Sequence, residues 1–264
     1  MSKNVFEPMD PISFGWNTLK GNLGFFVILM IIVGVLYNLP GLISMAVSSV
    51  MLPDPASGSF SSGTTGLLVL FAVIIAIISL IIYILLEVGL LKIALSFRDG
   101  KVPEVEDLFR GYPHFLNYLA ASILYGLMVA FGLILLIIPG IYLALKYQFY
   151  GYLIIDKGMG PFEALKESGR ITDGAKKDLL VFWLVLFCSI AVIALVLGIF
   201  IALPVGLLMA FISKELIPAF NIATSLISSF INLIIIIPIT KLSTAFIYRI
   251  LEARLGIPSD HGIE

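Results

Sequence analysis

The chain has 264 residues, of which 60% are hydrophobic and only 12% charged, and its formal net charge is −1. A soluble domain contains about 25% charged residues, so this composition excludes a soluble globular protein and indicates an integral membrane protein. The basic residues are scattered among acidic ones and form no basic stripe, which argues against nucleic acid as a partner.

Hydrophobic runs predict about six membrane-spanning helices within a single integral membrane domain, residues 1–264. A spanning helix needs roughly 20 apolar residues, because the hydrocarbon core of a bilayer is about 30 Å thick. The predicted fold is therefore an all-α, polytopic transmembrane helix bundle. Its predicted spans are residues 23–39, 67–91, 115–138, 141–155, 179–202 and 217–240.

Proline, glycine and serine mark the expected interruptions between these spans. Pro40 should kink or end the first helix, which leaves residues 41–52 as a re-entrant or interfacial segment. Residues 53–66 are rich in Gly, Ser and Pro and predict a flexible loop. The connection 203–216 either re-enters the membrane or lies flat on its surface.

The distribution of positive charge predicts the orientation of the spans. Fourteen of the sixteen Lys and Arg residues fall into four segments on one side of the six-span model. The positive-inside rule places these segments, and with them both termini, in the cytoplasm. The four segments are residues 1–22, 92–114, 156–178 and 241–264.

A weak internal repeat precedes three of the spans. Each copy has a short amphipathic segment, a charged residue and a glycine (Gly21, Gly111 or Gly174) before the apolar sequence begins. An amphipathic helix can lie along the membrane surface and end at such a glycine in a left-handed turn. The pattern predicts three hairpins, each led by an interfacial helix, with Pro139-Gly140 as the tight turn of the second. The alternative is that the three copies are not a repeat, because any crossing from the inside to the outside needs a polar-to-apolar junction with a turn residue.

Two motifs in the second half give the chain a family resemblance. They are Pro139-Gly140-Ile141-Tyr142 and the segment from Glu163 to Gly174. The stretch from about 89 to 250 resembles the YciC-like and DUF975-like polytopic proteins, and is similar to the membrane domain fused to some glycerophosphodiester phosphodiesterases. The resemblance implies a prokaryotic plasma (inner) membrane protein of around six helices, largely without an assigned activity. No segment is long and polar enough to hold the phosphodiesterase domain, so that activity is not implied.

Glu87 and Lys146 are the ionisable residues most clearly inside apolar runs, and a charge within a span marks a functional candidate. Glu87 lies roughly 30 Å along its span from the outer end, whereas Lys146 lies roughly 9 Å from the outer turn. Direct pairing would require a strongly tilted or re-entrant fourth span. The alternative is that Glu87 meets interfacial water or Lys92, and that Lys146 extends outward among tyrosines.

Two further groups of side chains suggest either packing or a polar passage. The fourth span is rich in tyrosine, including Tyr147 and Tyr150, which could line a cation passage or belong to the interfacial aromatic belt. Spacings of four, three and four place amides and hydroxyls of the sixth span on one helical face. Such a face binds helices together or lines a polar pathway. Its members are Asn221, Ser225, Ser228 and Asn232.

Motifs of known catalytic chemistry are missing from the sequence, and no cofactor or metal site is predicted. Asp156, Glu163 and Glu167 lie beside lysines and are typical of a solvated interfacial helix. The favoured function is a non-enzymatic module that binds membrane lipids or scaffolds another membrane protein. The alternatives are a small-solute or ion transporter or channel, and an intramembrane lipid-modifying enzyme with Glu87 or Asp156 as its acid. The oligomeric state does not follow from the sequence.

Overall fold

The computed structural model describes residues 5–51, 62–202, 225 and 228–256, and within these ranges it contains helices and turns but no strand. The all-α prediction is thereby confirmed. Two 3-10 turns, Val105–Leu108 and Tyr112–His114, precede α4, and a π-helical turn, Asn232–Ile236, precedes α9. The α-helices are α1 (Met9–Gly21), α2 (Leu23–Met51), α3 (Ser62–Arg98), α4 (Phe115–Leu135), α5 (Ile137–Tyr147), α6 (Tyr150–Lys157), α7 (Pro161–Ile171), α8 (Lys176–Leu197) and α9 (Ile237–Arg254).

Five stretches of the described chain are long and apolar enough to cross a membrane, which makes this a multi-pass membrane helix bundle. The first, second, third and fifth predicted spans begin in these stretches. The sixth is described only at 225 and from 228 onward, and there it continues into the basic segment after it. The five stretches are Leu23–Val47, Gly66–Arg98, Val105–Leu135, Lys176–Phe200 and Ser228–Arg254.

The fourth predicted span, 141–155, consists of two short helices rather than one. α5 has 11 residues and α6 has 8, with a break at Gln148 and Phe149. A helix of 11 residues is about 16 Å long, roughly half the thickness of the hydrocarbon core. The fourth crossing is therefore a broken helix, and a break at this position exposes backbone groups that other elements must satisfy.

The prediction that Pro139-Gly140 forms the turn of the second hairpin is wrong. The chain reverses at Leu136, whose backbone is extended (φ −164°, ψ 150°), and Pro139 and Gly140 lie in the first turn of α5. Proline is tolerated there because the first N–H groups of a helix have no intrahelical acceptor. Gly140 permits the close approach of α5 to α4, since a Cβ at this position would lie 2.8 Å from the backbone nitrogen of Leu133.

Pro40 does not end the first span. α2 continues through Pro40 to Met51, so the expectation of a separate segment at 41–52 is wrong as far as the described chain extends. A proline removes one backbone hydrogen bond, which a membrane helix tolerates when local adjustments satisfy the freed carbonyl. Residues 53–61 of the predicted loop and the whole connection 203–216 lie outside the described residues, whereas residues 62–66 of that loop are helical and begin α3.

The described helices form three successive units, which we call hairpins, each with a leader segment, an outgoing helix and a return helix; the connection within the third lies outside the described residues. The leader segments are α1, the 3-10 turns at 105–114, and α7. The outgoing helices are α2, α4 and α8, and the return helices are α3, the α5–α6 pair and α9. The order of leader, outgoing and return segments agrees with the predicted repeat, although the second leader is two 3-10 turns rather than an α-helix.

Each leader segment packs against the return helix of a different hairpin. α1 crosses α9, where Ser243 Oγ donates a hydrogen bond of 2.9 Å to the carbonyl oxygen of Pro11. The 105–114 leader crosses α3 so closely that a Cβ on Gly89 would lie 2.7 Å from the carbonyl carbon of Leu108. The third leader, α7, packs on the α5–α6 pair. The first leader therefore lies on the third return helix, the second leader on the first, and the third leader on the second. The contacts therefore close a ring.

The α7 contact also satisfies the break in the fourth span. Ser168 and Thr172 are fully buried, and both donate hydrogen bonds to the carbonyl oxygen of Lys146, at 3.2 and 2.9 Å. Phe149 N–H donates to Ser168 Oγ at 3.1 Å. Gly169 brings α7 close, because a Cβ there would lie 3.0 Å from the Cε of Lys146. The segment that contributes to the family resemblance thus caps a broken helix.

The prediction that three glycines end the leaders in left-handed turns holds for one of them. Gly174 has a φ of +74°, whereas Gly111 has a φ of −83° and Gly21 is the last residue of α1 with no positive φ. Gly111 instead packs closely against α3, since a Cβ there would lie 2.5 Å from the Cγ1 atom of Val88.

The orientation can be tested by single-cysteine labelling, because Cys188 is the chain's one cysteine. In a Cys188→Ser background, Val102→Cys should react with an impermeant maleimide only from the cytoplasmic side, since Val102 is 89% exposed in a segment predicted to lie inside. Ser59→Cys, in the predicted outer loop, should react from outside in intact cells. The reverse pattern would overturn the predicted orientation.

Candidate functional site

Polar side chains from all three returns line a common cavity of about 190 Å³, and three of them mark its centre. These three side chains are Glu87 of α3, Gln148 at the break in the fourth span, and Lys241 of α9. Glu87 and Lys241 form an ion pair, with 19% and 22% of their side chains exposed. We call this cavity the chamber; its other lining residues are Leu91, Tyr118, Tyr125, Phe149, Tyr150, Gly151, Tyr152, Trp183, Thr240 and Thr244.

Aromatic rings form much of the chamber wall. The ring centroid of Tyr150 lies 5.5 Å from that of Tyr118 and 5.2 Å from that of Tyr125, in tilted arrangements. Trp183 Nε1–H donates a hydrogen bond of 2.8 Å to Gln148 Oε1, which fixes the amide at the break. Tyr152 donates to the carbonyl oxygen of Lys241 at 3.0 Å. These contacts hold the rings around the Glu87–Lys241 pair.

A second, larger cavity of about 700 Å³ lies on the other side of the ion pair. α2, α3 and the segment 228–241 form its walls, and we call it the groove. Lys241 and Ser228 both line the groove, and they are 13 residues apart. The groove therefore extends about 20 Å along this helix. Glu87 and Lys241 therefore border both cavities. The groove's remaining lining residues are Val33, Gly34, Tyr37, Asn38, Tyr83, Leu86, Leu90, Ser229, Asn232, Leu233 and Ile237.

A second ionic layer joins the same three return helices at their far ends. Arg249 of α9 donates to Asp99, directly after α3, and to Asp156 of α6, each at 2.7 Å. It also donates to Glu252 at 2.7 Å, and Lys157 contacts the other oxygen of Glu252 at 2.7 Å. Arg249 is only 10% exposed. A guanidinium can satisfy several carboxylates at once through its five N–H donors, so this layer fixes the spacing of the three helices.

The two layers are separated by two to three helical turns. Lys241 and Arg249 are eight residues apart in α9, about 12 Å, whereas Glu87 and Asp99 are twelve residues apart, about 18 Å along α3. The Arg249 layer thus holds together the same three return helices that form the chamber. The expectation that Asp156 belongs to a solvated interfacial helix is wrong, since its side chain is 17% exposed and bound to Arg249.

Of the two predicted intramembrane charges, Glu87 belongs to the site and Lys146 does not. The partner of Glu87 is Lys241, rather than the Lys92 or water that was expected. Lys146 packs along Gly169 of α7, with its Nζ 5.1 Å from the ring centroid of Tyr147. Lys146 therefore extends toward a leader segment, and the expectation that it extends outward is wrong. Neither Lys146 nor Tyr147 lines the chamber.

The predicted polar face of the sixth span contributes to the groove in part. Ser228 and Asn232 line the groove, and both are exposed among the described residues. Ser225 is exposed and lines neither cavity, and Asn221 lies outside the described residues. Two of the four predicted residues thus border a cavity.

Sequence reasoning missed several residues of the site. The charge distribution assigns Lys241 only to the cytoplasmic segment 241–264. Its position directly after an apolar run is the signal that could have identified it, just as Glu87 stands out inside an apolar run. Tyr118 and Tyr125 of α4 are seven residues apart, two helical turns, so they share a face. That spacing could have identified them. Nothing in the spacing of Asp99, Asp156 and Arg249 reveals that they meet.

Comparisons with protein-family models, curated proteins and solved structures gave no match to this chain.

Replacing Arg249 should destabilise the bundle strongly. Arg249→Gln would leave the carboxylates of Asp99, Asp156 and Glu252 close together without their shared cation, and breaking a buried ion pair in this way costs about 3–5 kcal/mol. The matched control is Arg170→Gln, which removes a pair that is 58% exposed on the arginine side and should cost about 1 kcal/mol or less. Thermal unfolding in detergent measures both, and equal midpoints for the two variants would contradict the role of this layer.

Proposed function

We propose that the protein is a non-enzymatic, phospholipid-binding membrane module that holds one lipid across the chamber and the groove. The observation that supports this most directly is the position of the Glu87–Lys241 ion pair, which borders both cavities. An amphiphile would place its polar group at this pair and its acyl chain in the groove.

The sizes and walls of the cavities suit the two parts of such a ligand. The groove, at about 700 Å³, falls within the range of about 300–1,000 Å³ that is typical of ligand pockets. Its apolar walls include Val33, Leu90 and Leu233. The chamber is smaller and more polar, which suits a headgroup better than a chain.

The depth of the ion pair also supports a lipid headgroup as the ligand. The leader segments cross the return helices at Gly89 and Ser243, each two residues from a member of the pair. Amphipathic segments of this kind lie at the boundary between headgroups and acyl chains. The Glu87–Lys241 pair therefore lies close to headgroup depth on the leader side of the bundle.

The proposal includes location and orientation. The leaders and the Arg249 layer lie in the four segments, 1–22, 92–114, 156–178 and 241–264, that contain fourteen of the sixteen Lys and Arg residues. The positive-inside rule places this side in the cytoplasm. The bound lipid would then come from the inner leaflet of the plasma membrane. Membership of the YciC-like and DUF975-like group remains part of the proposal and rests on the motifs at 139–142 and 163–174.

Transport of a small polar solute is a second candidate, favoured by one observation. Asn38, Ser228, Ser229 and Asn232 place polar groups in the groove, where an acyl chain has no use for them. The break in the fourth span also borders the chamber, and broken helices form the substrate sites of many transporters. The scaffold and lipid-modifying alternatives have no comparable observation in the described residues.

Filling the groove should remove the bound lipid. In Ser228→Phe the aromatic ring would occupy the groove, and the roughly one phospholipid per chain expected to copurify with the wild type should be lost. Ala191→Phe places the same ring on an exposed position of α8 as a control and should retain the lipid. Lipid mass spectrometry of protein purified in native membrane discs measures both. Lipid retention in Ser228→Phe, or none in the wild type, would contradict the proposal.

The transport candidate makes a separate prediction in proteoliposomes. Asn232→Leu would remove the amide from the groove and should lower solute flux at least tenfold if the groove conducts. Lys146→Met, which lies outside both cavities, should leave flux unchanged. Equal flux through the Asn232→Leu variant and the wild type would reject the groove as a conducting path, and lipid binding is measured independently of flux.

A further inference from the structure

The charges that line the chamber are balanced, and this limits the ligand. Among the described residues, Glu87 and Lys241 are the chamber's only Asp, Glu, Lys or Arg side chains, and they neutralise each other. A ligand with a single net charge would leave one ion of the site without compensation in an apolar surrounding, which is unfavourable. A zwitterion would pair its cation with Glu87 and its anion with Lys241, so the site would stay neutral.

The contacts already made by the pair leave capacity for such an exchange. A lysine ammonium has three N–H donors, and in the described structure the side chain of Lys241 has Glu87 as its one ionic partner. A carboxylate has about four acceptor positions, and Lys241 occupies one oxygen, Oε1. About one fifth of each side chain is exposed to the cavities, so a ligand can reach both ions.

The aromatic wall decides which end of a zwitterion lies in the chamber. Tyr118, Tyr125, Tyr150 and Trp183 surround the space next to Glu87, and the face of an aromatic ring attracts a cation. The chamber therefore favours an ammonium group. Lys241, which lies on the border with the groove, would contact the anionic group of the ligand.

From these observations we infer that the ligand is a zwitterion with an ammonium group and a phosphate, supplied by the headgroup of an amine-bearing phospholipid. The ammonium lies among the aromatic rings and contacts Glu87, the phosphate contacts Lys241, and an acyl chain follows the groove past Leu90 and Leu233. This inference rests on the proposed lipid-binding function and adds the headgroup class to it.

The test compares three probes on the purified full-length protein by native mass spectrometry. Dioleoyl phosphatidylethanolamine should bind at one molecule per chain, at a concentration at least tenfold lower than dioleoyl phosphatidylglycerol. Glycerophosphoethanolamine, which has the same headgroup and no acyl chains, should bind at least a hundredfold more weakly than the lipid. Tight binding of this soluble probe would overturn the lipid as the source of the zwitterion.

The remaining outcomes separate this inference from the proposed function. Equal binding of the two lipids would overturn the headgroup inference and leave lipid binding standing, whereas binding of neither would overturn both. The double variant Glu87→Lys, Lys241→Glu keeps an ion pair but exchanges the positions of its charges, so it should lose the preference. An unchanged preference in this variant would overturn the inference.

A second pair of variants tests the inference even if the charge-exchanged protein does not fold. Tyr125→Leu removes a ring from the chamber wall and should lower the preference for the amine-bearing lipid at least threefold. Tyr142→Leu is the matched control, because Tyr142 is a 46% exposed tyrosine of α5 outside the chamber. Equal preferences in the two variants would contradict a role for the aromatic wall in binding the ammonium group.

Discussion

The arrangement of the bundle depends on the Arg249 layer. Leader segments can place three return helices side by side, but apolar packing within a lipid bilayer has little directional preference, since lipid tails are as apolar as leucine. Arg249 supplies the missing specificity by binding Asp99 and Asp156 from the other two return helices. Its fixed donor geometry sets the distances between the helices, and the chamber lies about 12 to 18 Å further along the same helices.

Much of the fold follows from the sequence, because it depends on local signals. Apolar runs predicted the long helices, and the polar-to-apolar junctions predicted the three-hairpin repeat. The local predictions failed where tertiary contacts decide the outcome. Pro40 is tolerated within α2, and Pro139 lies in the first turn of α5, while Gly140 lets α5 pack closely against Leu133 of α4.

The site was less predictable than the fold, because its parts come from all three hairpins. Glu87 and Tyr150 stand out in the sequence as polar groups in apolar runs, and the spacing of Ser228 and Asn232 indicates a polar face. Their meeting with Lys241 depends on how the leaders close the ring. The role of Ser168 is equally hidden, because a serine on an amphipathic helix gives no sign that it satisfies a break in another helix.

The central claim is that Glu87 and Lys241 form a coupled pair between the chamber and the groove, and a double-mutant cycle tests it most directly. The free energies of unfolding of Glu87→Gln, Lys241→Gln and the double variant would be measured in detergent against the wild type. Each single variant leaves an uncompensated charge, so each should be less stable than the double variant, with a coupling energy above about 1 kcal/mol. Effects that add within about 0.5 kcal/mol would show that the two side chains do not interact, and would contradict the account.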